Sequence, residues 1–378
     1  MKKIFFFIFI AASLVACKNN PSSNKQQSAT DTEKSPDGKA SATAKKSKNL
    51  ILDGETHFKS LRQVTFGGDN AEAYWSFDDS KLVFQARNEA WNAPCDQIYV
   101  TGVDEIWPKG KVPPLVSTGK GRTTCSYFLP GDTTILYAST HLAGDACPPM
   151  PKKRKDYVWP IYSSFDIFVA DLKGNIKKQL THTPGYDAEA TVSPKGDKIV
   201  FTSMRSGDLE LYTMDIDGSH VKQVTSELGY DGGAFFSPDG KELIFRSSRP
   251  KTPEAIKKYK DLLAEGLVMP TQMELYICNV DGSNMRQITH LGGANWAPFF
   301  HPSGKKVIFA SNYEYERGFP FNLYMINTDG TGLEKITASG MFDAFPVFSN
   351  DGKYLVFSSN RNNGGGHDTN FFIAEWQE

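Results

Sequence analysis

The sequence predicts an all-β fold: a six-bladed β-propeller of four-stranded antiparallel blades, closed by an N-terminal strand that completes the last blade. Three observations predict it. One hairpin design recurs as "VSPKGDKIVF" (192–201), "FSPDGKELIF" (236–245), "FHPSGKKVIF" (300–309) and "FSNDGKYLVF" (348–357). A second short ending recurs as "QLT" (179–181), "QVT" (223–225), "QIT" (287–289) and "KIT" (335–337). Finally, the last unit stops after its third strand, "TNFFIAEW" (369–376), while "LRQVTFGG" (61–68) precedes the first unit and has no partners there.

Each element follows from these. Aligned on the aromatic that ends the hairpin, the units fall at Phe84, Tyr137, Phe201, Phe245, Phe309 and Phe357, spaced 53, 64, 44, 64 and 48 residues apart. The shortest spacing matches one four-stranded propeller blade, and the longer ones read as that blade with insertions. In the third unit the strands are "AEATVS" (188–193), "KIVFTS" (198–203), "LELYTM" (209–214) and "VKQVT" (221–225). Compact Gly-, Pro- and Asp-rich turns join the first to the second and the third to the fourth, so each unit is an antiparallel meander. Placing "LRQVTFGG" beside the last strand of unit six removes an exposed sheet edge.

The folded part is expected over residues 51–378. Before it, residues 1–16 read as a signal peptide: two lysines, then an apolar run too short to span a membrane as a mature helix. Leu14-Val15-Ala16-Cys17 resembles the lipobox of bacterial lipoproteins, which implies cleavage before Cys17 and lipidation of that cysteine; Lys rather than Asp at position 18, with no acidic cluster after it, favours an outer-membrane anchor facing the periplasm. Residues 17–50 lack the apolar content needed to form a core and read as a flexible tether. Basic and acidic residues nearly balance, 42 against 43, so bulk charge gives no reason to expect nucleic acid as a partner.

The first hairpin, the "S-x-R" after it (Ser203-Met204-Arg205, Ser247-Ser248-Arg249, Ser359-Asn360-Arg361), the "L-Y-x-x-x-x-D-G" third strand and the "Q-[VLI]-T" ending resemble the TolB-like (WD-repeat-like) β-propeller family. The resemblance covers about residues 57–376 and is weaker in units one and two, where "FDDSK" and "LPGDT" stand in for the signature. It implies a propeller fold and a periplasmic setting. The N-terminal α/β domain of TolB proper has no counterpart in the sequence, so that domain's partners do not carry over.

Function is expected on one face. The segments 88–96, 141–164, 250–272, 313–320 and 361–368 all lie between second and third strands, where propeller loops emerge together with the connections entering each first strand. Within 250–272, "TPEAIKKYKDLLAEGL" reads as a helix capped by Thr252, with Pro253 in its first turn and Ile256, Tyr259, Leu263 and Leu267 on one face. On the same face fall Asp187, Asp231 and Asp343 with Arg205, Arg249 and Arg361, as well as His141 and Glu189, which depart from the repeat. Carboxylates and guanidiniums at these places either brace adjacent blades or bind a ligand or partner. One disulfide is expected among Cys95, Cys125 and Cys147, with Cys95–Cys147 the first choice and Cys95–Cys125 the second.

The sequence holds no G-x-S-x-G, H-E-x-x-H or Walker loop. The His141, Asp145, Cys147 spacing fits no closed zinc pattern, so no catalytic residue, metal or cofactor is assigned. The expected function is a non-catalytic binding or scaffold module for a protein or cell-envelope polymer; the alternative is a hydrolase or lyase acting on a glycan or peptide at the channel mouth.

Overall fold

The computed structural model describes residues 50–315 and 318–378. Its strands form six blades, each starting innermost. The first strands are Asp69–Trp75, Thr123–Phe128, Asp187–Val192, Asp231–Phe236, Asn295–Phe300 and Asp343–Phe348. Blades two to five add three more strands in chain order, and every pairing is antiparallel. In blade six the strand beyond Asn370–Trp376 is Phe58–Gln63, with Phe58 opposite Trp376 and Gln63 opposite Phe372. Blade one has three strands, and its outer edge is reduced to a single antiparallel bridge between Tyr99 and Leu115.

The hairpins take their form from their turns. In blade four the Ser237 hydroxyl accepts from the Lys241 and Glu242 N–H groups (3.2 and 2.9 Å) and donates to Asp239 (2.7 Å), and Gly240 supplies φ +73°. The closing aromatics Phe84, Tyr137, Phe201, Phe245, Phe309 and Phe357 are wholly buried, which explains why they keep the register of the repeat.

One irregularity recurs in all six first strands. Each carries a bulge, and in each the bulged residue has a left-handed backbone: Glu72 (φ 57°), Cys125 (45°), Glu189 (57°), Gly233 (58°), Ala297 (47°) and Phe345 (55°). A bulge re-aims its residue out of the pleat, and all six line one cavity on the propeller axis.

Two insertions meet above that cavity. Trp159–Pro160, from blade two, pairs antiparallel with Leu267–Val268, from blade four. Arg154–Glu265 (2.5 Å) and Lys258–Asp156 (3.0 Å) ion pairs flank the contact. The helix runs Pro253–Ala264, with the Thr252 hydroxyl accepting from the Ala255 N–H (3.2 Å). Tyr259 and Leu262 are its buried residues, and the Tyr259 hydroxyl donates to Asp208 in blade three. Thr252→Ala should cost about 1 kcal/mol of stability through the lost cap, measured by urea unfolding. The residues read as a signal peptide, Cys17 and all of the segment read as a tether except Leu50 lie outside the described residues.

Candidate functional site

The lid and the six bulges line a recess of about 410 Å³ that opens to solvent. Its wall is divided. Blades one to three place Glu72, Cys125 and Glu189 at the bulge positions, whereas blades four to six place Gly233, Ala297 and Phe345 there. Many of the other lining residues are aromatic, among them Tyr74, Tyr186, Phe235, Trp159 and Trp296. Trp159 of the lid packs against Trp296 of blade five (5.1 Å between centroids), and the Trp296 indole N–H donates to the Pro270 carbonyl (2.7 Å). The blade-two insertion therefore reaches across to blades four and five.

Glu189 is the best-satisfied group in the wall. It accepts from the Tyr230 hydroxyl (2.5 Å), the Thr202 hydroxyl (2.7 Å), the Gly233 N–H (2.9 Å) and Arg246 Nη2 (2.5 Å). Arg246 also donates to the Tyr230 oxygen (2.6 Å) and lies against the Trp159 and Tyr230 rings. Glycine at 233 makes this arrangement possible: a Cβ there would stand 1.8 Å from Arg246 Nη1. Gly233→Ala should therefore expel the guanidinium from its place and add about 1–2 kcal/mol of left-handed strain. Thermal melts alongside Arg246→Met would check this, because the two losses should overlap rather than add.

Glu72 is different. Its Oε2 is buried without a hydrogen-bond partner among the described residues. Burial pushes its carboxyl up to about 7; the Cys125 thiol hydrogen bond and the Arg246 charge oppose that rise, while Glu189 and Asp96 reinforce it. Because the folded value lies above the ordinary 4.5, the folded protein holds the proton more tightly than the unfolded chain. The stability this contributes is complete at low pH and is lost as pH rises from about 4.5 to about 7. Relative to Glu72→Gln, the native protein should lose up to roughly 3 kcal/mol across that window and then level off. Urea unfolding of both proteins from pH 4 to 8.5 measures the difference, and a flat difference would place the carboxyl in an ordinary environment.

A family model described as the TolB beta propeller domain matches residues 161–261 and 268–367, more than half of the chain. The chain belongs to the TolB β-propeller family. Among solved structures, this TolB-family chain is similar to a putative TolB from Agrobacterium tumefaciens, at 19% identity and TM-score 0.53, over 82% of this chain and 91% of that one. It is also similar to TolB from Acinetobacter baumannii, at 19% identity and TM-score 0.50, over 83% of this chain. That match spans 64% of the Acinetobacter protein, so less than two thirds of its length is represented. At such identities the likeness speaks to the fold. No curated protein matches.

Against this propeller the sequence-predicted residues sort clearly. Asp187, Asp231 and Asp343 are each paired with the arginine 18 residues on: Arg205 (3.0 Å), Arg249 (2.5 Å) and Arg361 (3.1 Å). These pairs lie within single blades rather than between adjacent ones, since each aspartate sits opposite the serine two residues before its arginine. Arg361 is also held by Glu55, at 2.9 and 3.0 Å, in the segment before Phe58–Gln63. None of the six lines the cavity.

His141 occupies the arginine's place in blade two. Its Nδ1 is 2.9 Å from the Ser139 hydroxyl, where Arg205 Nε is 2.8 Å from Ser203, and its ring packs on Phe168. Burial and the Lys120 charge lower its pKa. His141 thus takes the arginine's place within its own blade and lies outside the cavity that Glu189 lines. Of the eight predicted residues, only Glu189 lines the cavity.

Cys95 and Cys147 form a disulfide, whereas Cys125 is a buried free thiol. Asp145 pairs with Lys120 (3.1 Å). The residues not assigned from the sequence are Glu72, Tyr230, Arg246 and the lid aromatics. Arg246 had a signal: one position after the closing aromatic the other units carry Gln85, Ala138, Thr202, Ala310 and Ser358, so an arginine there stands out.

Proposed function

We propose that this chain is a lipid-anchored periplasmic propeller that binds a protein or cell-envelope polymer, without catalysis, through the face bearing the insertions. What supports the reading most is the lid, in which insertions from two blades join over an aromatic-lined cavity, an arrangement that the propeller framework does not require for its own closure. The rim charges are internally paired and so add little to recognition; the recess and its aromatic edge remain as the binding surface. Family membership and the lipobox-like leader support the envelope setting.

A photo-crosslinking residue placed at Tyr157 or Phe319, on the lid face, should capture an envelope component in native membranes. The same residue at Lys195, in the blade-three hairpin turn at the opposite end of its strands, should not. Capture from Lys195 alone, or equally from all three places, would overturn the assignment of the binding face.

One observation favours the second reading, a hydrolase or lyase acting on a glycan or peptide. A carboxyl with a value near 7 in a cavity is poised as a general acid or base. Turnover of envelope glycans or peptides that Glu72→Gln abolishes in a folded protein would move the assignment there.

A further inference from the structure

The charged residues that line the cavity are Glu72, Asp96, Glu189, Arg122 and Arg246. Two pairs cancel, Asp96 with Arg122 and Glu189 with Arg246. Glu72 is left over, with no ion pair among the described residues and with Oε2 buried and unpartnered. Tyr74 and Tyr186 also line the cavity, and neither hydroxyl makes a hydrogen bond among the described residues. The surrounding rings offer the faces that attract cations. A recess with one carboxylate outside any ion pair and with aromatic walls is complementary to a cation.

The edge of the cavity says how that cation arrives. Met150, Tyr157 and Phe319 line the cavity and are also exposed, by 59%, 42% and 48%. Such an apolar rim has nothing to do for a small free amine. It suits a polypeptide that rests on the rim and extends one side chain inward.

We infer that the cavity under the lid receives an ammonium or guanidinium side chain presented by a partner protein, with the Glu72 carboxylate as its counter-ion. The inference rests on the reading of the lid face as the binding face and names the group that is recognised there. Around Glu72 stand the Cys125 thiol from blade two, Glu189 from blade three, Arg246 from blade four, and Asp96 and Tyr74 from blade one. Arg246 is drawn off by Glu189 and Tyr230, which leaves Glu72 to the ligand. Because Glu72 is half protonated near neutral pH, an incoming cation displaces its proton, and binding is linked to proton release.

The test uses the intact purified protein and three probes: n-butylammonium, n-butanol as its neutral counterpart, and the peptide acetyl-Ala-Ala-Lys-Ala-Ala-amide with its norleucine analogue. Binding is read by calorimetry and by the fluorescence of the protein's tryptophans. The lysine peptide should bind more tightly than butylammonium, and neither butanol nor the norleucine peptide should bind. Affinity should rise up to about tenfold between pH 6 and pH 8, with close to one proton released per cation at pH 6 and almost none at pH 8 when two buffers of different ionisation enthalpy are compared.

Glu72→Gln should weaken binding by roughly tenfold or more and abolish the pH dependence. The proton-release measurement needs no variant, so a misfolded Glu72→Gln cannot obscure the result. Norleucine and lysine peptides binding alike, or release of no proton at pH 6, would sink the inference; butylammonium binding as well as the lysine peptide would overturn the assignment to a protein. If these probes fail while Tyr157 and Phe319 still crosslink an envelope component, the cation assignment alone is lost. If the crosslinks fail as well, the binding face is wrong.

Discussion

Replacing Arg246 with methionine should destabilise the protein by about 3–5 kcal/mol, the range for removing one member of a buried ion pair. Arg246 is 8% exposed, and its guanidinium shares the Glu189 oxygen Oε1 with the Tyr230 hydroxyl. Without it, Glu189 keeps three neutral donors, from Thr202, Tyr230 and Gly233, but its charge is left in a low-dielectric wall. Glu189→Gln combined with Arg246→Met should recover part of the loss, because the amide carries no charge and can still accept from those donors. A double-mutant cycle by urea unfolding should therefore give a coupling of 1 kcal/mol or more, as expected for directly bonded groups. Additivity would mean that the pair is not formed in solution. A stability close to native in Arg246→Met alone would mean that water reaches the wall and solvates Glu189.

The second large effect is expected at the Cys95–Cys147 disulfide. Its partners are 52 residues apart in sequence. Chain-entropy estimates for a loop of that length give about 4 kcal/mol of stabilisation through restriction of the unfolded chain. Cys95 lies within the third strand of blade one and Cys147 within the blade-two insertion, so the bond joins the lid to a neighbouring blade. Paired substitution by serine should lower stability by 2–4 kcal/mol. The lower figure applies if the freed lid undocks before the blades unfold. Hydrogen exchange separates the two outcomes: the Ile161 N–H, which donates to the Gly266 carbonyl at 2.7 Å, should exchange faster than the amides of Lys198–Ser203 in blade three if the lid opens by itself. No change in the unfolding midpoint would show that the Trp159–Trp296 packing holds the lid without the bond.

The blades were legible because their information is local and repeated. A buried aromatic, an Asp- or Ser-bearing turn and a threonine ending recur at fixed offsets, and the predicted first strand of blade three, 188–193, lies at Asp187–Val192. The Asp–Arg pairs were equally visible as a pattern, yet pattern alone could not say whether they brace or bind. Their 18-residue offset joins an aspartate at the start of one strand to an arginine just past the end of the next, and such spacing keeps both groups in one blade.

The cavity was less visible, since its parts are 72, 125, 189 and 246 in the chain, and the lid forms only where two remote insertions pair. His141 lies away from the cavity for a physical reason. A departure from the repeat marks a changed side chain, but here the new side chain took over the hydrogen bond of the arginine it replaces.

The six left-handed bulges have a consequence for how such a channel can change. Every blade places one residue at the axis with the same backbone geometry, so the wall can be written as a word of six letters, here Glu, Cys, Glu, Gly, Ala and Phe. Rewriting a letter alters what the channel holds while leaving every strand pairing in place. The alphabet is restricted, because valine, isoleucine and threonine are disfavoured at positive φ, and it is contextual, because the glycine is what admits the neighbouring arginine. Affinity could thus be retuned one blade at a time on a scaffold that stays the same.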